Sequence, residues 1–233
     1  MSTASIMSAA SKVDLLIPGG LLALSLVPVL AGAFRMAQLV GGAEITPDNA
    51  RFLVSPLPVG LHIVGSVIYS LMGAFQFSPG FRRQHPRWHR AAGCVLIPCG
   101  LIVALSGIWM TQHFPLGKFQ GPLVADFDGR SLYVIRMLVG SAMTLFIGLG
   151  ITALLKRDFR IHGAWMIRAY ALGLGAGTQV LTHIPWFLFP SIRGEVARTL
   201  CMAAGWGINM AVAEWWIARV NRDADSHLVR ASS

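Results

Sequence analysis

Two histidines stand out by their setting. Each lies at the end of a short basic hinge, Phe81-Arg82-Arg83-Gln84-His85-Pro86-Arg87-Trp88-His89-Arg90 or Lys156-Arg157-Asp158-Phe159-Arg160-Ile161-His162. Each also follows an arginine by two positions, as Arg87/His89 and Arg160/His162. The runs flanking the first hinge, Phe52 to Phe81 and Ala91 to Gly117, contain no charged residue. If these runs cross a bilayer, His89 and His162 enter it from one side at one depth. On diagonal helices of a bundle, two neutral imidazoles can hold a haem iron. The plainer alternative is that both are interfacial residues, resting with their arginines among lipid headgroups.

His62, His113 and His183 belong to the opposite side. A second haem there would need a ligand on the fourth span, which has no histidine. Met137 offers a His/Met arrangement or is an ordinary core methionine, and His62 with His183 is the other pairing. Arg168 lies about 9 Å inside the fifth span and Glu214 about 6 Å inside the sixth, at 1.5 Å per residue from the hinge side. Charges at such depth pair or face a cavity. A structural ion pair between Arg168 and Glu214 is the first expectation, and a quinone, proton or anion site the second. His162, Trp165 and Arg168 recur along roughly one helical face, so with Glu214 they outline a polar, aromatic pocket.

The elements that must position these residues follow from composition. The 233 residues are 55% hydrophobic and 12% charged, with a mean hydropathy of +0.61. That is too apolar for an ordinary soluble domain. A span takes about 20 apolar residues, and the pattern predicts an all-α, polytopic transmembrane bundle of about six spans in one domain. They fall near residues 15–34, 58–78, 89–112, 132–155, 162–184 and 198–218, and a polar tail occupies 219–233. The first span is read as retained rather than as a cleaved signal. Within the fifth, Gly173-Leu174-Gly175-Ala176-Gly177 makes a small-residue surface that a neighbouring helix can approach closely.

The net charge of +9 gathers at the ends of apolar runs, which excludes a nucleic-acid face and points to membrane orientation. Both hinges carry most of the excess, so hinges and termini are expected in the cytoplasm of a bacterium with the chain in its inner membrane. The opposite loops hold Glu44, Asp48, Lys118, Asp126 and Asp128. Cys94, Cys99 and Cys201 have no metal-site spacing and read as small packing residues. No nucleophile-elbow, P-loop, dinucleotide or zinc-protease spacing occurs.

His62-x-x-Gly65, Pro86-Arg87-Trp88-His89-Arg90 with Gly93, Ser106-Gly107, the stretch His162-x-x-Trp165-Met166-x-Arg168-x-Tyr170-Ala171-Leu172, and Asn209 with Glu214 form a set. This set resembles the bacterial multi-pass membrane family called domain of unknown function 2306, over about His62 to Trp216. The resemblance implies helical spans and no particular activity. A looser similarity in helix number and histidine placement is to cytochrome b561-type proteins, from which the absent histidine on span four departs. Two functions are therefore expected to compete. One is a redox protein binding haem b or quinone through His89, His162, His62, His183, Arg168 and Trp165. The other is a cofactor-free, non-enzymatic transporter or accessory subunit, in contact with lipid and with a membrane-protein partner or a second copy of itself.

Overall fold

The computed structural model describes residues 3–46, 49–114 and 127–231, with side chains over 15–46, 49–114 and 127–222. Asp48, Lys118 and Asp126 lie outside the described residues. The chain is helical throughout the described part, and five helices are long and apolar enough to cross a membrane. They are α1 (Thr3–Val40), α3 (Pro56–Ala74, continued by a 3-10 turn to Phe77), α5 (Pro86–His113), α6 (Arg130–Leu155) and α10 (Glu195–Ala231).

The fifth span is a broken helix. It comprises α7 (Phe159–Gly173) and α8 (Gly175–Thr182), joined at Leu174. The break falls where the sequence places Gly173 and Gly175 around one residue, and glycine is the residue whose interior placement most weakens a helix after proline. Together the two pieces run from the hinge end of the bundle, where His162 meets the Gly150 carbonyl, to the other, where His183 meets Arg198, alongside the five longer helices. The short helices α2 (Ala50–Val54), α4 (Pro79–Gln84) and α9 (Ile184–Leu188) lie between the passes.

Local chemistry explains the hinges. Pro79 and Pro86 stand at the first turns of α4 and α5, where the missing N–H costs nothing. Pro79-Gly80 therefore starts a short helix, capped by Ser78 Oγ accepting from the Phe81 N–H, and does not merely end the preceding span. In the second hinge Asp158 Oδ1 accepts from the Ile161 N–H at 3.0 Å and caps α7. Arg157 closes that turn with a left-handed backbone (φ 59°).

At the other end of the chain, α10 continues as helix through the polar stretch from Arg219 to Ala231. The reason is visible in composition: no glycine or proline follows Gly207, so nothing stops the helix.

The core is a layer of α3, α5, α6 and α7 residues around Tyr69, Leu96, Val103, Met143, Ile147 and Tyr170. Tyr170 donates to the Ser70 carbonyl at 2.7 Å and packs on Phe77 and Tyr69. The glycine-rich stretch is used for close approach: a Cβ on Gly177 would land on the Leu24 carbonyl oxygen of α1. Large apolar side chains such as Leu26, Leu61, Leu105, Leu138 and Leu200 point outward, as a lipid-facing surface requires.

Candidate functional site

At the bundle end opposite the hinges, one carboxylate gathers three arginines from distant parts of the chain. Asp128 precedes α6, Arg51 lies in α2, Arg136 is six residues into α6, and Arg198 is three residues into α10. Arg136 Nη1 donates to Asp128 Oδ2 at 2.9 Å and Arg198 Nε to Oδ1 at 3.3 Å. Arg51 Nη1 stands 3.7 Å from Oδ2. The Asp128 side chain is 8% exposed, so this charge is compensated inside the protein and not by water. Burial lowers the pKa of the Arg51 guanidinium, and Asp128 opposes that shift.

Behind Arg198 sits His183. Its Nδ1 lies 2.7 Å from the Gln179 carbonyl and its Nε2 2.7 Å from Arg198 Nη1. Arginine can only donate, so Nε2 accepts and the Nδ1–H donates to the carbonyl, which identifies a neutral imidazole. The lone pair expected to serve a cofactor is committed to Arg198.

Arg51 and Arg136 border a cavity of about 450 Å³ that runs inward between the helices. Its polar side chains include Ser25, His62, Ser66, Ser70 and Gln179, and its apolar wall includes Val67, Val103, Met143, Leu174 and Trp206. Ser66 is ten residues beyond Pro56, or about 15 Å down α3 at 1.5 Å per residue, so the cavity reaches well into the helix. His62 faces it with Nδ1 3.1 Å from the Val103 carbonyl and 3.0 Å from Ser106 Oγ. Ser106 Oγ itself donates to the Ile102 carbonyl at 2.5 Å. The His62 Nδ1–H thus donates, and Nε2 keeps its lone pair.

At the hinge end, His89 lies in the first turn of α5 and His162 in the first turn of α7. His162 Nδ1 lies 2.8 Å from the Gly150 carbonyl, which leaves its Nε2 bare. His89 Nδ1 is buried and has no hydrogen-bond partner. Arg168 meets Glu214 through two bonds, Nε to Oε1 at 2.5 Å and Nη2 to Oε2 at 2.8 Å, and its guanidinium rests 4.6 Å from the Trp165 ring centroid. Arg168 is 21% and Glu214 50% exposed. The pair is therefore only partly enclosed, with Glu214 half exposed and Arg168 largely covered against Trp165. Trp165 turns its ring to Phe146, and Phe75, Phe81 and Trp88 pack on one another at the same end.

Among the described residues no group of three or more His, Cys, Asp or Glu comes together as a metal site. The arginine cluster is what inspection of the sequence passes over. Its one signal is that Arg136 and Arg198 each sit inside the start of a span, where a lone charge requires a partner.

The fold and the burial pattern define a multi-pass membrane protein with an internal cavity. The profile of the family described as "Predicted membrane protein (DUF2306)" matches residues 59–217, more than half of the chain, and the protein belongs to that family. No curated protein and no solved structure matches the chain significantly.

Proposed function

We propose that this is a non-enzymatic binding and transport protein whose small-molecule ligand enters the bundle at the Asp128 end and occupies the cavity beneath it. The observation that carries the reading is the cavity itself. Its volume falls in the range of small-molecule sites, about 300–1,000 Å³, and a few polar groups converge in an otherwise apolar wall. Orientation completes the proposal. The excess of basic residues in the hinges supports a cytoplasmic hinge end in a bacterial inner membrane, with the mouth at the other end facing outward.

The test is chemical access. A cysteine replacing Ser66 is expected to react with a charged, membrane-impermeant thiol reagent added on the mouth side, and one replacing the outward-facing Val64 is not. Silence at both positions would remove the cavity as a path.

The redox reading has one observation in its favour: among the described residues the Nε2 of His162 makes no hydrogen bond, and the buried Nδ1 of His89 has none either. These two residues would hold a haem b, whose contribution when bound is one-electron chemistry. Against it stands the aromatic packing of that end. Purified protein grown with haem is expected to lack a Soret band, and a band lost in both His89→Ala and His162→Ala would reverse the choice.

A further inference from the structure

We propose that the ligand is a single-chain amphiphile with an acidic head, carboxylate or phosphate, docked on Arg51 and Arg136 with its chain in the cavity toward Trp206. The inference rests on the cavity being a binding site and adds which chemistry fills it. Among the described residues, three guanidinium groups converge on a single carboxylate. Asp128 Oδ1 is taken by Arg198, and Oδ2 serves Arg136 with Arg51 beyond hydrogen-bond distance at 3.7 Å. Arg51 makes no hydrogen bond among the described residues. Its Cζ instead rests 4.6 Å from the centroid of the Phe52 ring, with Arg35 Cζ 4.0 Å from the same centroid.

Each guanidinium carries five donors in a fixed fork suited to planar and tetrahedral oxyanions. Donors therefore outnumber acceptors around Asp128, and even with the Glu195 carboxylate lying against Gly129 the three guanidinium groups leave a net positive charge where water is scarce. An anion there gains charge-assisted hydrogen bonds, and a cation is repelled. Below the mouth the wall is mainly apolar, with isolated polar groups at Ser25, His62, Ser66, Ser70 and Gln179 and no further charged side chain among the described lining. A free hydrophilic anion would have nothing to gain from that depth, and an alkyl chain would. About 450 Å³ suits one chain and leaves little room for the second chain of a phospholipid.

The experiment uses the full chain in lipid nanodiscs of phosphatidylcholine and follows tryptophan quenching by a terminally brominated undecanoate. The matched brominated undecanol serves as the uncharged comparison. The wall position of Trp206 makes it the reporter, and the Trp206→Phe variant defines its share of the signal. The acid is expected to quench Trp206 saturably and to bind about 10- to 100-fold tighter than the alcohol, the span that hydrogen bonds to a charged group supply. In Arg51→Gln and Arg136→Gln this ratio should fall toward one while alcohol binding persists, and persistence also reports that the variants are folded. Arg51→Lys should keep part of the preference.

Equal binding of acid and alcohol by the wild type would overturn the acid head and leave the cavity standing. Absence of quenching by either would overturn both. Inorganic phosphate competing as well as the brominated acid would contradict the apolar chain. Loss of acid binding on adding phosphatidylglycerol to the discs would give the site to a membrane phospholipid and contradict the single-chain ligand.

Discussion

Asp128→Asn is expected to destabilise the protein by about 3 to 5 kcal/mol, the loss that follows when one member of a buried ionic group is neutralised and its partners remain charged. The asparagine keeps an acceptor for Arg136 or Arg198 but removes the negative charge shared by three cations, and the site is 8% exposed. A second substitution should return part of the loss. Arg51 is the most distant partner at 3.7 Å, so Asp128→Asn with Arg51→Gln is expected to be more stable than Asp128→Asn alone. Thermal melting of detergent-purified protein reads both effects, and a melting temperature for Asp128→Asn equal to wild type would show that the cluster does not hold the bundle end together.

Gly177→Val is the second large effect, about 2–3 kcal/mol of destabilisation, at the upper end of what forced overpacking costs. The obstacle is the α1 backbone itself: the added Cβ meets the Leu24 carbonyl oxygen, which cannot step aside like the end of a flexible side chain. Gly148 provides the contrast, since nothing lies within 4 Å of a Cβ built there. Gly148→Ala should be neutral or slightly stabilising, because alanine is the better helix former. The same melting experiment compares them, and equal stability of the two variants would mean that α1 and α8 are not pressed together at Gly177.

Much of this architecture is legible in the sequence because a bilayer imposes it. Uncharged runs separated by basic hinges read directly as spans, and the helices fall within a few residues of the expected limits in α5 and α6. The Gly173–Gly177 stretch announces close packing, yet the split at Leu174 is a tertiary outcome in which α1 and α10 grip a short α8. Arg168 and Glu214 find one another because two charges inside neighbouring spans have few other options. That Glu214 stays half exposed depends on the rotation of α10, which no periodicity in a polar-poor helix specifies.

The arginine cluster is hidden for a different reason. Arg198 and Asp128 are 70 residues apart, Arg51 belongs to a short connecting helix, and no local motif links them. Each residue alone resembles an ordinary interfacial charge. The histidines are visible in the sequence by their spacing, but the partner of each, such as Arg198 Nη1 for the Nε2 of His183, is set by how the helices pack.

Ligand entry requires the cavity to be open from the Asp128 end to the depth of Ser66. Reaction of cysteines at positions 66 and 64 with an impermeant thiol reagent tests this directly, in a chain whose Cys94, Cys99 and Cys201 are replaced by alanine. Both positions are on α3 at nearly the same depth, but Ser66 lines the cavity and Val64 is 48% exposed on the outer surface, where lipid would surround it. The attacking species is the thiolate, which an apolar setting suppresses, so Ser66→Cys should react at least about tenfold faster than Val64→Cys, and undecanoate should slow it. Equal rates at the two positions, or reaction at Ser66→Cys only from the hinge side, would contradict the account.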